Sequence, residues 1–198
     1  MKNICITLVF VFLSSFAQGQ TRSMSVSTPK SQNESTFLKG DNVVALGLGL
    51  GGTLYSGSGY SSKIPLISLS YERCVKDRLF DDKSSLGIGG IVGYTSSKWE
   101  YEGYGWKYSD IVIGVRGALH YAFVNKLDTY TGLMLGYDIL SSKTIGEMHS
   151  EWDYSASTGG FVWAWYLGAR YYFTDSFAGF AELGYGVSII NLGVAMKF

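Results

Sequence analysis

The sequence predicts an all-β protein, an eight-stranded antiparallel up-and-down transmembrane β-barrel over residues 41–198. Three observations point there. From Asp41 onward apolar side chains recur at every second position in eight successive segments, the period of a strand and not of a helix. The opposite face of those segments is mostly Gly, Ala and Ser with scattered charges, which solvates poorly but fits inside a narrow cylinder. Charged residues make up only 16% of the chain, against about 25% for an average soluble domain.

The segments before the barrel read differently. Residues 1–19 carry Lys2, an apolar run from Ile4 to Phe16 and Ala17-Gln18-Gly19 as a small-x-small cleavage site, the pattern of a secretory signal peptide. The run is shorter than the ~20 apolar residues a spanning helix needs. Residues 20–40 are polar and rich in Ser and Thr with no sustained period, and read as a flexible N-terminal arm. Cys5 belongs to the signal, so Cys74 stands alone in the mature chain and no intramolecular disulfide is expected. An exported chain without a disulfide must be held by something else.

Eight strands follow in order. In the first, Val44, Leu46, Leu48 and Leu50 alternate with Ala45, Gly47 and Gly49. In the second, Ile67, Leu69 and Tyr71 oppose Ser68, Ser70, Glu72 and Cys74; in the third, Leu86, Ile88, Val92 and Tyr94 oppose Gly87, Gly89 and Gly93. The fourth sets Ile111, Ile113, Val115, Leu119, Tyr121 and Phe123 against Asp110, Gly114, Arg116, Ala118 and His120. The fifth sets Leu133, Leu135, Tyr137 and Ile139 against Gly132, Met134, Gly136 and Asp138. The sixth sets Phe161, Trp163, Trp165, Leu167, Tyr171 and Phe173 against Ala164, Gly168 and Arg170. The seventh sets Phe177, Ala181, Leu183 and Tyr185 against Ala178, Glu182, Gly184 and Gly186. The last sets Ile190, Leu192, Val194, Met196 and Phe198 against Asn191, Gly193, Ala195 and Lys197.

A soluble sandwich would turn its polar faces to water, but these second faces offer little to hydrate. A closed barrel gives the glycines a use and places the apolar rows against lipid. The connections agree. Those after strands two, four and six are short to moderate and turn-like, and those after one, three and five are longer and irregular, the expected asymmetry of an outer-membrane barrel. Aromatic residues gather at both strand ends: Tyr55, Tyr94, Trp106, Tyr137, Trp163 and Trp165 toward the long loops, Tyr71, Tyr121, Phe123, Tyr171, Phe173, Phe177 and Phe198 toward the turns. Two such girdles suit rings that prefer the headgroup level.

The signal sequence, the eight alternating segments and the terminal "INLGVAMKF" together resemble the small outer-membrane β-barrel family of opacity-type and outer membrane protein A-like barrels, porin-family proteins, over residues 41–198. The resemblance implies a location in the bacterial outer membrane. It also implies recognition of the last strand by the barrel-assembly machinery, with Ile190, Leu192, Val194, Met196 and Phe198 as the assembly signal. Pairing of that strand with the first follows independently, because an open sheet edge in lipid leaves backbone groups unsatisfied.

Several residues could carry chemistry. Gly47 to Gly52, "GLGLGG", has the letters of a dinucleotide fingerprint, but "TLYSGSGYSS" follows instead of the helix that would meet the pyrophosphate. No cofactor is expected. Arg116, Arg170, Glu182, Asp138, Asp110, Glu72 and Lys197 all project to the small-residue face and should pair into an interior charge network, with Arg116 and Arg170 against Glu182 and Asp138. His120 reads as a hydrogen-bonded filler beside them. Glu147, His149, Glu151 and Asp153 alternate through the third outer loop, a pattern that polarity alone explains without a metal. Neither His149 with Ser150 or Ser155 nor His120 completes a nucleophile, base and acid, so no enzyme is expected. The balance of 16 basic and 16 acidic residues argues against nucleic acid.

The function expected is structural or interactive at the cell surface, from a barrel whose interior is filled, with a small-solute channel as the alternative. Partners are outer-membrane lipid and an extracellular molecule met by the second and third outer loops. There Trp99, Tyr101, Tyr104, Trp106, Trp152 and Tyr154 are the candidate contacts.

Overall fold

A computed structural model describes residues 36–52, 62–101, 104–145 and 155–198. The described residues contain no helix and form one closed sheet of eight strands. In chain order these are β1 (Asn42–Gly52), β2 (Ser62–Asp77), β3 (Ser84–Tyr101), β4 (Tyr104–Val124), β5 (Leu127–Ile145), β6 (Ser155–Tyr172), β7 (Phe177–Tyr185) and β8 (Ser188–Lys197). Every strand pairs antiparallel with its sequence neighbour, and β8 returns to β1, with Val44 opposite Met196 and Leu48 opposite Leu192. Asn42 and Phe198 close the seam by exchanging backbone hydrogen bonds, each 2.9 Å. Tyr71 adds a 2.7 Å bond from its hydroxyl to Asn42 Oδ1. The final residue is thus part of the sheet.

Alternation sorts the side chains as the sequence predicts. Leu46, Leu48, Leu69, Ile88, Ile113, Leu135, Trp163, Leu167, Leu183 and Val194 all face outward, about half exposed, while Ala45, Cys74, Ala118, Ala178 and Ala195 are buried inside. A water-soluble protein does not display a continuous belt of Leu, Ile and Val. Hydrocarbon around a sealed cylinder accounts for it.

One end of the cylinder carries the turns at 78–83, 125–126 and 173–176, and the other carries the remaining connections. The β4–β5 turn is the two residues Asn125 and Lys126, with Lys126 at φ 67°. At the opposite end β7 and β8 are joined by Gly186 and Val187, where Gly186 takes φ 114° and a Cβ would strike the Trp163 carbonyl. Any other residue there would strain the hairpin.

The wall is uneven in height. β7 and β8 have 9 and 10 residues, enough to cross a bilayer and no more, whereas β3 to β6 have 18 to 21. The stretch "SSKWEYEGYGW", expected as an irregular loop, is instead the top of a hairpin: Thr95–Tyr101 pair with Tyr104–Asp110. The alternation continues into that stretch, but its Trp, Tyr and Lys content hides the apolar period. Trp106 lies on the same side as Asp110 and Val112, so it belongs to the concave side of this tall wall and not to the outer girdle. The stretch expected to be a signal peptide, Tyr55 and most of the segment expected to be an arm lie outside the described residues. The arm's end does not: Phe37 is fully buried within the turn end of the barrel.

Candidate functional site

The interior is built on pairs of large and small residues placed opposite each other by the register. Tyr130 faces Gly168 and Tyr166 faces Gly132 across β5 and β6. A Cβ on Gly168 would sit 2.5 Å from the Tyr130 ring, so the glycine is what lets the ring lie flat against the wall. Arg116 is likewise opposite Gly89, and Glu182 opposite Gly168.

Into the space so made the strands project two linked ionic groups. Arg116 Nη2 donates to Glu182 Oε1 at 2.6 Å, and the same carboxylate accepts from the Tyr130 hydroxyl at 2.9 Å and from Asn191 Nδ2 at 3.2 Å. The Arg116 guanidinium also lies 4.0 Å over the Tyr166 ring. Nearer the turns, Arg170 donates to Glu72 Oε2 at 3.1 Å and to Asp128 Oδ2 at 3.3 Å. His120 completes that group, with Nε2 2.8 Å from Glu72 Oε1 and Nδ1 3.0 Å from Asp128. A carboxylate thus stands within hydrogen-bond distance of each ring nitrogen, and the imidazole bridges Glu72 and Asp128. His120 is therefore an integral part of the network.

Apolar clusters bound these groups above and below. Leu66, Val112, Tyr130, Met134, Val162 and Tyr166 pack on the loop side. Phe37, Val43, Cys74, Tyr172, Ala178 and Phe180 pack at the turn end. The Phe37 ring lies 4.6 Å from His120 and closes the barrel from below. Its segment is held by Lys197, whose Nζ donates to the Thr36 carbonyl at 2.8 Å and stands 3.7 Å from Asp41. Cys74 is buried there as a free thiol, 3.7 Å from the Phe37 carbonyl. A cavity of about 50 Å³ beside the Arg116 and Glu182 pair, lined by Leu66, Ile91, Val112, Met134, Tyr166 and Val187, has room for a few water molecules.

Of the residues expected in the network, the structure brings together Arg116 with Glu182 and Arg170 with Glu72, and sends Lys197 to the rim. It does not bring Asp138 to a guanidinium. Asp110 and Asp138 lie near one another on β4 and β5, each with one buried oxygen that lacks a hydrogen-bond partner. The sequence reading missed Asp128, counted as turn, and the filling rings of Tyr130, Tyr166, Tyr172 and Phe37. Alternation on β5 and β6 contained the signal for the first three. Of the expected contact residues, Trp99 and Trp106 stack at 5.2 Å across β3 and β4, and Tyr101 and Tyr104 pair through their backbones. Trp152 and Tyr154 lie outside the described residues, as do His149, Ser150 and the alternating acids of the third loop. Ile190, Leu192, Val194, Met196 and Phe198 all face outward along β8.

No protein-family pattern and no curated protein matches the chain. Solved structures do. Ail, the attachment invasion locus protein of Yersinia pestis, solved with the heparin analogue sucrose octasulfate, is 14% identical over 81% of this chain and 100% of its own, with a TM-score of 0.54. The N-terminal β-barrel domain of Pseudomonas aeruginosa OprF is 15% identical over 81% and 98%, at 0.48. Neisserial surface protein A is 14% identical over 79% and 93%, at 0.46. Identity at this level speaks for the fold alone. With its apolar belt and closed register, the chain has the eight-stranded, up-and-down fold of the small bacterial outer-membrane barrels.

Proposed function

We propose that the protein is a filled outer-membrane barrel that displays the tall part of its wall to an extracellular partner. The loop end faces outward, and the partner adds a strand to the upper edge of β6. The observation that carries this reading is the pairing of β6. Its contacts with β7 run from Tyr172 up to Trp165, and the ten residues Ser155–Ala164 continue beyond with no β7 partner among the described residues. At about 3.3 Å per residue this leaves roughly 33 Å of sheet edge.

Native sheets blunt such edges with charges, proline or bulges. Ser157, Thr158, Gly159 and Gly160 supply none of these and are exposed. An uncharged edge of this kind is suited to strand addition, in which backbone hydrogen bonds give affinity. The stacked Trp99 and Trp106 on the concave side would contribute aromatic contact to the same partner. That Ail carries the name of an attachment protein fits this role. The alternative of a channel is disfavoured by the ion pairs and rings that fill the bore.

The test is adhesion of bacteria displaying the protein to a matrix-coated surface. Thr158→Lys with Gly160→Lys places charges on the edge, and Gly160 has open space for a side chain. Adhesion should fall to background while surface display stays constant. Unchanged adhesion would reject the edge as the contact, and reproducible conductance steps from the purified wild-type protein in a planar bilayer would reject the filled barrel.

A further inference from the structure

Two carboxylates in the upper bore are left without a counter-ion. Asp138 on β5 stands opposite Val112 on β4, and Asp110 lies two residues further along the same face of β4. Asp110 is 1% exposed, and each of the two keeps a buried carboxylate oxygen with no hydrogen-bond partner. The basic groups of the bore are engaged lower down, Arg116 with Glu182 and Arg170 with Glu72 and Asp128, and among the described residues no cation is paired with Asp110 or Asp138. A buried carboxylate without a partner is costly, and an incoming positive charge relieves the cost.

The register leads from that pair to the free edge of β6. Gly160 is the β6 residue opposite Asp138, and a Cβ added to it would meet nothing within 4 Å. Between the edge and Asp138 the wall therefore has a notch. A strand added to β6 lies about 5 Å beyond it and β5 lies as far on the other side, so a side chain set opposite Gly160 starts about 10 Å from the β5 backbone. The long stems of Lys and Arg cross such a span and carry the charge at the far end. Four residues down the same face, Ala164 ends the stretch of β6 that has no β7 partner among the described residues. It lines the cavity of about 50 Å³ together with Leu66, Ile91, Val112, Met134 and Val187. The cavity thus sits at the foot of the free edge.

We infer that the partner strand presents one basic residue and one short aliphatic residue, four places apart, to this wall. The Lys or Arg lies over Gly160 and meets Asp138, the less buried of the two carboxylates, with Asp110 behind it. The aliphatic side chain lies opposite Ala164 and enters the cavity. Alternation puts positions four apart on one face of a strand, so both anchors are reached together. Backbone hydrogen bonds along Ser155–Ala164 give affinity whatever the sequence, and the two anchors select the partner. The inference rests on the reading of β6 as the contact edge and adds the chemistry of what binds there.

The experiment follows the fluorescence anisotropy of labelled synthetic peptides titrated with the folded protein in a nonionic detergent. The reference peptide is a short run of threonines with one valine and, four places on, one lysine, made in both orders because a strand can add in either direction. Its lysine is changed to glutamate, its valine to glycine, and its backbone is N-methylated at alternate residues in either register. Wild type should bind the lysine peptide about a hundredfold more tightly than the glutamate peptide. The change from valine to glycine should weaken binding about tenfold. Asp110→Asn with Asp138→Asn, checked for folding by heat-modifiable gel mobility, should bring the lysine and glutamate peptides within about threefold of each other. Equal binding of those two peptides by wild type overturns the basic anchor without any variant, as does a preference that survives in the double variant. Unchanged affinity of the glycine peptide overturns the aliphatic anchor. N-methylation in one register should abolish binding, and if it does so while charge makes no difference, the edge stands and only this inference fails. Failure of every peptide to bind, or indifference to N-methylation in both registers, fails the edge itself.

Discussion

Replacing Glu182 by Ala removes the acceptor on which three donors converge: Arg116, Tyr130 and Asn191. The Arg116 side chain is 12% exposed, so its guanidinium would be left in the bore with no carboxylate against it. Breaking a buried pair from one side costs about 3–5 kcal/mol, because the remaining charge stays desolvated. With a urea dependence of about 2 kcal/mol per molar, the unfolding midpoint in detergent should fall by roughly 2 M. Glu182→Gln keeps an acceptor without the charge and should fall about half as far. Changing both partners, Arg116→Met with Glu182→Leu, should recover most of the loss, since an apolar pair leaves no charge unpaired. Tryptophan fluorescence during equilibrium unfolding reads all of these. A Glu182→Ala midpoint within about 0.3 M of wild type, or a double variant as weak as the single, would refute the argument that the interior ions hold the barrel.

Phe37→Ala should cost about 3–5 kcal/mol and open the turn end, so that Cys74, whose burial should protect it from a maleimide in the folded wild type, becomes labelled; continued protection would show that Phe37 is not the plug. Gly168→Val should displace the Tyr130 ring and destabilise the barrel by about 1–3 kcal/mol, and an unchanged unfolding curve would contradict the packing described. Deleting Phe198 removes the reciprocal bonds with Asn42 and the last outward ring of β8, and should lower the folded fraction recovered in outer membranes; wild-type yield would show that neither seam nor assembly depends on it.

Alternation makes the eight strands, their two faces and the closing of β8 on β1 readable in the sequence. A side chain's face follows from a period of two and needs no tertiary information. The partners inside the bore do not follow from it. Glu72 and Arg170 are 98 residues apart and come from strands that are not neighbours, so their meeting depends on stagger and closure that no local pattern encodes. The same limit explains why Asp138 was expected beside an arginine and stands near Asp110 instead. Asp128 looked like turn because the tight Asn125 and Lys126 reversal starts β5 earlier than its charged residues suggest. Phe37 was hidden for another reason: one ring in a polar segment carries no periodicity, and only the space below His120 gives it a place.

The central claim is that hydrocarbon, not water, surrounds the Leu, Ile and Trp rows of a sealed cylinder. It is tested most directly by refolding the purified chain from urea into buffer alone and into detergent or lipid vesicles, and following heat-modifiable mobility in gels. A compact, heat-sensitive band that forms only with the amphiphile is the expected result. A monodisperse, folded monomer in plain buffer would contradict it.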